Sequence, residues 1–183
     1  MADTYPADQD VVRDLRGALY WLPQPVMLIT AAAGGRRNVM IAVRGMHYLD
    51  PPNPSIIIGV ADHSLTGELI DESGEFGVNV LAAEQAELLL RGREQSRVSS
   101  KEVDKLAAYG VETFPGEVIG APLIKGCACN FECKVRNRVD LGEGYHLVIG
   151  DILAIHGLPS RGPMVMYRQA GYHLDTPIPG TGR

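Results

Sequence analysis

Residues 25–60 read PVMLITAAAGGRRNVMIAVRGMHYLDPPNPSIIIGV. Pro25 to Thr30 is a short apolar run rich in Val, Ile and Leu, which predicts a buried strand. Ala33-Gly34-Gly35-Arg36-Arg37 reads as a hairpin turn, and Asn38 to Val43 as the strand that follows it. Asp50-Pro51-Pro52-Asn53-Pro54 must be a loop, because neither a helix nor a β-ladder tolerates that proline density. Ser55 to Val60 is another strand, with consecutive isoleucines at Ile56 to Ile58. Tight or proline-rich loops, not long crossover helices, join these strands. That favours an antiparallel barrel over a doubly wound parallel sheet.

The rest of the chain extends this pattern. Val11 to Trp21 has helical spacing and stops before Pro23. Ser64 to Asp71 predicts a short helix with Ser64 as its N-cap. Glu75 to Leu81 predicts a strand. Ala83 to Gly92 is a leucine-rich helix, Arg93 to Lys101 a polar loop, Glu102 to Tyr109 a further helical piece, and Gly116 to Pro122 a loop. Leu123 to Val135 alternates, with Cys127, Cys129, Phe131, Cys133 and Val135 on one side. Ala128, Asn130, Glu132 and Lys134 lie on the other side, so a half-exposed antiparallel strand is expected. Asn137 to Gly144 reads as a turn. Tyr145 to His156 is apolar on both faces and should lie centrally in the sheet. Met164 to Tyr167 and Tyr172 to Leu174 suggest a closing hairpin. The sum is seven or eight short strands with two or three helices inserted midway, in one domain spanning 1–183.

Composition narrows the function classes. The chain has 183 residues, 45% hydrophobic and 21% charged, enough for a globular core. Its formal charge of −5 disfavours general nucleic-acid binding. No apolar run approaches the ~20 residues of a membrane span. Met1 to Asp10 is polar and holds no basic residue, unlike a secretory signal, so a cytoplasmic location is expected. Three cysteines in one segment do not make a disulfide framework and lack zinc-ligand spacing; they read as small buried thiols.

Standard catalytic signatures are missing: there is no G-x-G-x-x-G after a strand, no G-x-x-x-x-G-K-[ST], no H-E-x-x-H and no G-x-S-x-G. What stands out instead is Ala61-Asp62-His63-Ser64-Leu65-Thr66, directly after an apolar strand. Ser64 and Thr66 place hydroxyls and free N–H groups at a helix N-terminus, a ready anion site, although simple capping would account for them equally. Arg36, Arg37, Arg97, Lys101 and Lys105 are the cations available to a phosphate; each taken alone reads more readily as a solvated surface charge.

Taken together, Leu22-Pro23-Gln24-Pro25-Val26 to Thr30, Asn38 to Ala42, Asp50-Pro51-Pro52, the His63 to Thr66 turn and Glu75-Phe76-x-Val78-Asn79 resemble the flavin reductase-like, FMN-binding split-barrel family. So do Asp104-Lys105, Ala121-Pro122-Leu123 through Glu132-Cys133, and Tyr145-His146-x-x-x-x-Gly150. The resemblance covers about residues 20–174. It implies a mainly β, six-stranded antiparallel split barrel of Greek-key type with two or three flanking helices. It also implies a homodimer, with FMN near the subunit interface and NAD(P)H as co-substrate. Carried over by position, Asn38, Val39, Met40, Ile41 and Ala42 lie along the flavin ring, mostly through backbone groups. His63, Ser64 and Thr66 hold the phosphate, and Asn79 matches a position near the ribityl chain. Ser99, Ser100 and Lys101 close over the phosphate end, with Lys105 in support. His146 matches a histidine near the flavin or nicotinamide and is the candidate catalytic residue. Three departures stand out: Ile41 occupies a position where many relatives carry Thr or Ser, Arg44-Gly45 replaces a commoner small or aromatic pair, and Tyr145 stands where an Asp often precedes the histidine.

The expected activity is NAD(P)H-dependent flavin reduction, with no metal and with electrons passed on to a monooxygenase or other redox partner. Two alternatives use the same barrel: an FMN electron carrier without a nicotinamide site, and a binding module that has lost flavin.

Overall fold

The computed structural model describes residues 21–42, 48–49, 54–95, 101, 103–157, 160–167 and 170–173. Of the expected elements, the helix Val11–Trp21, the loop Asp50–Pro54 and most of the polar loop Arg93–Lys101 lie largely outside these residues.

Strands dominate. β1 (Gln24–Pro25), β2 (Met27–Ala33) and β3 (Arg36–Ala42) are followed by the two-residue β4 (Tyr48–Leu49) and by β5 (Ser55–Ala61). Helix α1 (Leu65–Ser73) leads into β6 (Glu75–Val80). A 3-10 turn (Ala83–Gln85), α2 (Ala86–Gln95) and α3 (Lys105–Ala108) form the helical insertion. Then come β7 (Thr113–Phe114), β8 (Leu123–Ile124), β9 (Cys129–Gly142), β10 (Tyr145–Gly157), β11 (Met164–Tyr167) and β12 (Ala170–His173).

The main sheet runs β3-β2-β6-β9-β10-β5-β4, antiparallel throughout: six full strands plus the short β4. β6, β9 and β10 are sequential neighbours, and β5 returns beside β10, which is a Greek key. β3 and β5 therefore stand near opposite edges of the sheet and do not pair with each other. This is the seam of the split barrel, and α1, which follows β5, packs on β2, β3, β5 and β6 across it. The expected closing hairpin forms, but it joins β1 in a separate three-stranded sheet, β1-β11-β12.

Two apolar clusters hold the layers together. Met27, Ile29 and Ala31 of β2, Ile56, Ile58 and Val60 of β5, and Leu65, Leu69 and Ile70 of α1 meet Phe76, Val78, Phe131, Cys133 and Val148 inside the curl of the sheet. Val26, Leu28, Val39, Leu89, Leu106, Tyr109 and Ile124 pack outside it, under α2 and α3. The β2–β3 turn needs left-handed backbone at both Gly34 (φ 54°) and Gly35 (φ 75°), which matches a tight hairpin of glycines.

Two expectations need correction. Leu123 to Val135 is not one strand: β8 ends at Ile124 and β9 begins at Cys129, and β9 then runs to Gly142 through the stretch expected to be a turn. Nor is its second face wholly exposed, although Lys134 is. Asn130 and Glu132 are buried, because residues 112–125 fold back over that face and supply its polar partners. The cysteines are free, and burial pushes the Cys127 thiol up to about 12, consistent with inert packing groups.

Candidate functional site

Several of the predicted residues, on β3, at the start of α1 and on β10, lie about the seam. β3 is an edge strand, paired only with β2, so alternate backbone groups along Asn38 to Ala42 have no strand partner. Its side chains divide by alternation. Val39 and Ile41 join the outer cluster, whereas Met40 and Ala42 pack with the inner one. Asn38 shares the inner side. Its Nδ2 donates to Thr66 Oγ1 at 3.1 Å, tying the edge strand to the first turn of α1. The other amide atom, Asn38 Oδ1, is buried without a hydrogen-bond partner among the described residues.

The turn before α1 is ordered by its own bonds. Ser64 N donates to Ala61 O at 3.0 Å, and Ser64 Oγ accepts from Gly67 N at 3.0 Å as the N-cap. Gly67 is required here: a Cβ would sit 2.8 Å from Val60 and 2.9 Å from Ser64 Oγ. The first N–H groups of the helix have no intrahelical acceptor, and Thr66 is already occupied as an acceptor, so its hydroxyl proton is free to donate. His63 is exposed in the turn.

β10 brings His146 to the same turn. Its register with β5 sets Tyr145 opposite Ala61 and His146 opposite Val60. His146 Nδ1 lies 2.7 Å from Asp62 Oδ1, and Nε2 is buried with no partner among the described residues. Asp62 carried no predicted role. It is 84 positions from His146, and only strand register makes them neighbours.

Cations gather nearby, each already beside a carboxylate. Lys101 pairs with Glu68 of α1, Arg36 with Glu72 at 2.8 Å, and Arg37 with Asp104 at 2.9 Å. All are partly exposed, so each pair is worth only ~0–1 kcal/mol and exchanges readily for a stronger anion. Lys101, Arg37, Leu65 and Val103 line a cavity of about 420 Å³ beside α1. A larger open cavity, about 520 Å³, lies between the β2–β3 hairpin and Phe114 and Pro122; of the predicted residues only Arg36 and Arg37 line it. Lys105 opens α3, which packs on β3, and burial pulls its amine below the usual lysine range.

Asn79 is a correction. It is fully buried on β6, and every polar atom is used inside the protein. Nδ2 donates to Leu28 O at 2.9 Å and Thr30 Oγ1 at 3.2 Å; Oδ1 accepts from Ile124 N and Asn130 Nδ2, both at 2.8 Å. Nothing is left for a ligand. Ser99 and Ser100 lie outside the described residues.

Comparison with known proteins follows the same lines. The sequence model of the family described as "Flavin reductase like domain" matches residues 19–174. The chain is 30% identical over 122 residues to the Mycobacterium tuberculosis flavin-dependent monooxygenase reductase subunit HsaB, covering 66% of this chain and 59% of that protein. It is 27% identical over 174 residues to the Streptomyces pristinaespiralis NADH:riboflavin 5'-phosphate oxidoreductase, covering 90% and 89%. In structure it is similar to the Streptomyces globisporus NADH:FAD oxidoreductase SgcE6, with a TM-score of 0.78 at 21% identity over 94% of this chain and 100% of that one. With the split barrel and its seam in place, this match over nearly the whole chain makes the protein a member of the flavin reductase like domain family.

Proposed function

We propose that the protein is an NAD(P)H-dependent flavin reductase that holds FMN along the barrel seam. The observation that carries the reading is Asn38 Oδ1, buried without a partner among the described residues, on an edge strand whose alternate backbone groups have no strand partner, joined to the N-terminus of α1 through Thr66. A flavin ring presents N–H and C=O groups that suit such an edge, and a phosphate suits Ser64, Thr66 and the helix amides. Family membership and the names of the relatives support the activity. Bound flavin supplies the hydride-accepting chemistry; the protein's work is positioning and exclusion of water. Asn38 to Ala42 flank the ring, Ser64 and Thr66 hold the phosphate, and Lys101 moves from Glu68 toward it. His146 lines the reacting face.

HsaB is the reductase subunit of a monooxygenase, which supports a separate oxygenase or similar redox partner for this chain. A homodimer accounts for the exposed apolar side chains of β9 and β10: Leu141, Leu153 and Ile155 are 56%, 51% and 61% exposed. No helix among the described residues is long and apolar enough to cross a membrane.

The test is titration of the purified protein with FMN, followed by anaerobic addition of NADH or NADPH. Quenching of flavin fluorescence and bleaching of the visible band are expected. Binding without bleaching would identify an electron carrier instead, and no binding would remove flavin from the site.

A further inference from the structure

We propose that Asp62 is the positioning residue for His146: it fixes the proton on Nδ1, so that Nε2 presents a bare lone pair to an N–H or O–H donor of the bound flavin or nicotinamide. This inference rests on the flavin reductase reading of the site.

The geometry leaves little freedom. An ionised carboxylate only accepts hydrogen bonds, so the 2.7 Å contact requires the proton on Nδ1. In the neutral ring Nε2 is then an acceptor, and it is buried without a partner. A buried acceptor left unpaired costs free energy, so a ligand donor that reaches Nε2 recovers that cost. Asp62 is held in place by its own backbone: its N–H donates to Gly144 O at 3.0 Å, locking the turn after β5 to the β9–β10 hairpin. The other acid in register with His146 is Asp140, which instead accepts from Gly142 N at 2.7 Å. Tyr145 precedes the histidine in sequence and carries no carboxylate; the carboxylate at hydrogen-bond distance comes from the turn after β5. Asp62 is half-exposed while the imidazole is only 13% exposed, which suits an outer carboxylate orienting an inner ring.

The experiment uses protein labelled with 15N-histidine and reads the ring nitrogens of His146 by long-range 1H–15N correlation, first without flavin and at a pH where the ring is neutral. The wild type should show protonated Nδ1 and bare Nε2. Asp62→Asn, whose amide can donate as well as accept, should populate both tautomers, and Asp62→Glu should restore the first. Added FMN, and in a separate arm NAD+, should shift Nε2 in the wild type; the arm that shifts it identifies the donor. In steady-state kinetics Asp62→Asn should lower kcat roughly tenfold, about one well-oriented hydrogen bond; the FMN dissociation constant should rise by a similar factor if the FMN arm shifts Nε2, and stay unchanged if only the NAD+ arm does. A proton on Nε2 in the wild type, or an unchanged tautomer in Asp62→Asn, overturns the proposal. So does a silent Nε2 in both arms when absorbance shows flavin bound. If absorbance shows no flavin binding while the tautomer behaves as expected, the reductase reading fails and Asp62 remains the residue that sets the ring.

Discussion

Asn38 Nδ2 reaches Thr66 Oγ1 at 3.1 Å across the seam of the barrel, and it is a side-chain bond between the edge strand β3 and the helix α1. Both residues are almost wholly buried. Thr66→Val keeps the shape and removes the acceptor, which strands Nδ2 beside an Oδ1 that already lacks a partner. A loss of about 1–3 kcal/mol in urea unfolding is expected. Weaker FMN binding in a fluorescence titration should accompany it. Wild-type values in both assays would show that the bond neither holds the seam nor shapes the site.

Asn79 should separate from Asn38 in the same assays. Asn79→Ala removes the acceptor of Ile124 N, one of the two acceptors of Asn130 Nδ2 and the side-chain donor to the Leu28 carbonyl together. A destabilisation of about 2–4 kcal/mol is expected. FMN affinity of the folded fraction should stay at the wild-type level. A large loss of affinity with stability intact would return Asn79 to the ligand.

This pair of asparagines shows where the sequence was informative. The glycine hairpin, the apolar strands and the Ser64 cap are local signals, and each lies where the spacing put it. Asn38 and Asn79 look alike in sequence, because both sit in short apolar strands. Only the tertiary layout separates them: one strand is an edge, the other is covered by β2, β9 and the β8 segment. The buried face of β9 was illegible for the same reason. Asn130 and Glu132 alternate like surface residues, and their partners come from a loop several positions upstream. Asp62 was hidden because its partner lies on another strand.

Gly150 lies against Phe76, and a Cβ there would fall 2.4 Å from the ring. Gly150→Ala should cost about 1–3 kcal/mol by overpacking the inner cluster. The double variant with Phe76→Leu should recover part of that loss relative to the sum of the single variants, because the two side chains then share the space. Simple additivity in thermal or urea unfolding would show that the clash is relieved elsewhere.

The outer side of β10 offers a test of assembly. Ile155→Glu puts a charge on the most exposed of the apolar side chains of β9 and β10. Light scattering after size exclusion should show a dimer for the wild type and a shift toward monomer for the variant. A monomeric wild type, or a variant dimer of unchanged strength, would remove this face from the interface.

Glu132 gives a pH dependence whose sign is set by its surroundings. Burial alone would push its carboxyl up. The N–H groups of Glu117, Val118 and Ile119, at 2.8–3.0 Å, together with His156 Nε2 at 2.5 Å, outweigh burial and hold it below the usual range. A carboxyl whose folded pKa is depressed contributes stability that is fully present above its unfolded value, near ~4.3, and lost as the pH falls through the folded value. Glu132→Gln keeps the shape but not the charge or the full set of acceptors, and should cost about 2–4 kcal/mol at neutral pH. The gap between wild type and variant should shrink as the pH drops below about 4, because the wild-type carboxyl then takes up its proton. Urea unfolding of both proteins between neutral and acid pH measures this directly. A gap of constant size would mean that the loop over β9 is held by shape rather than by the Glu132 charge.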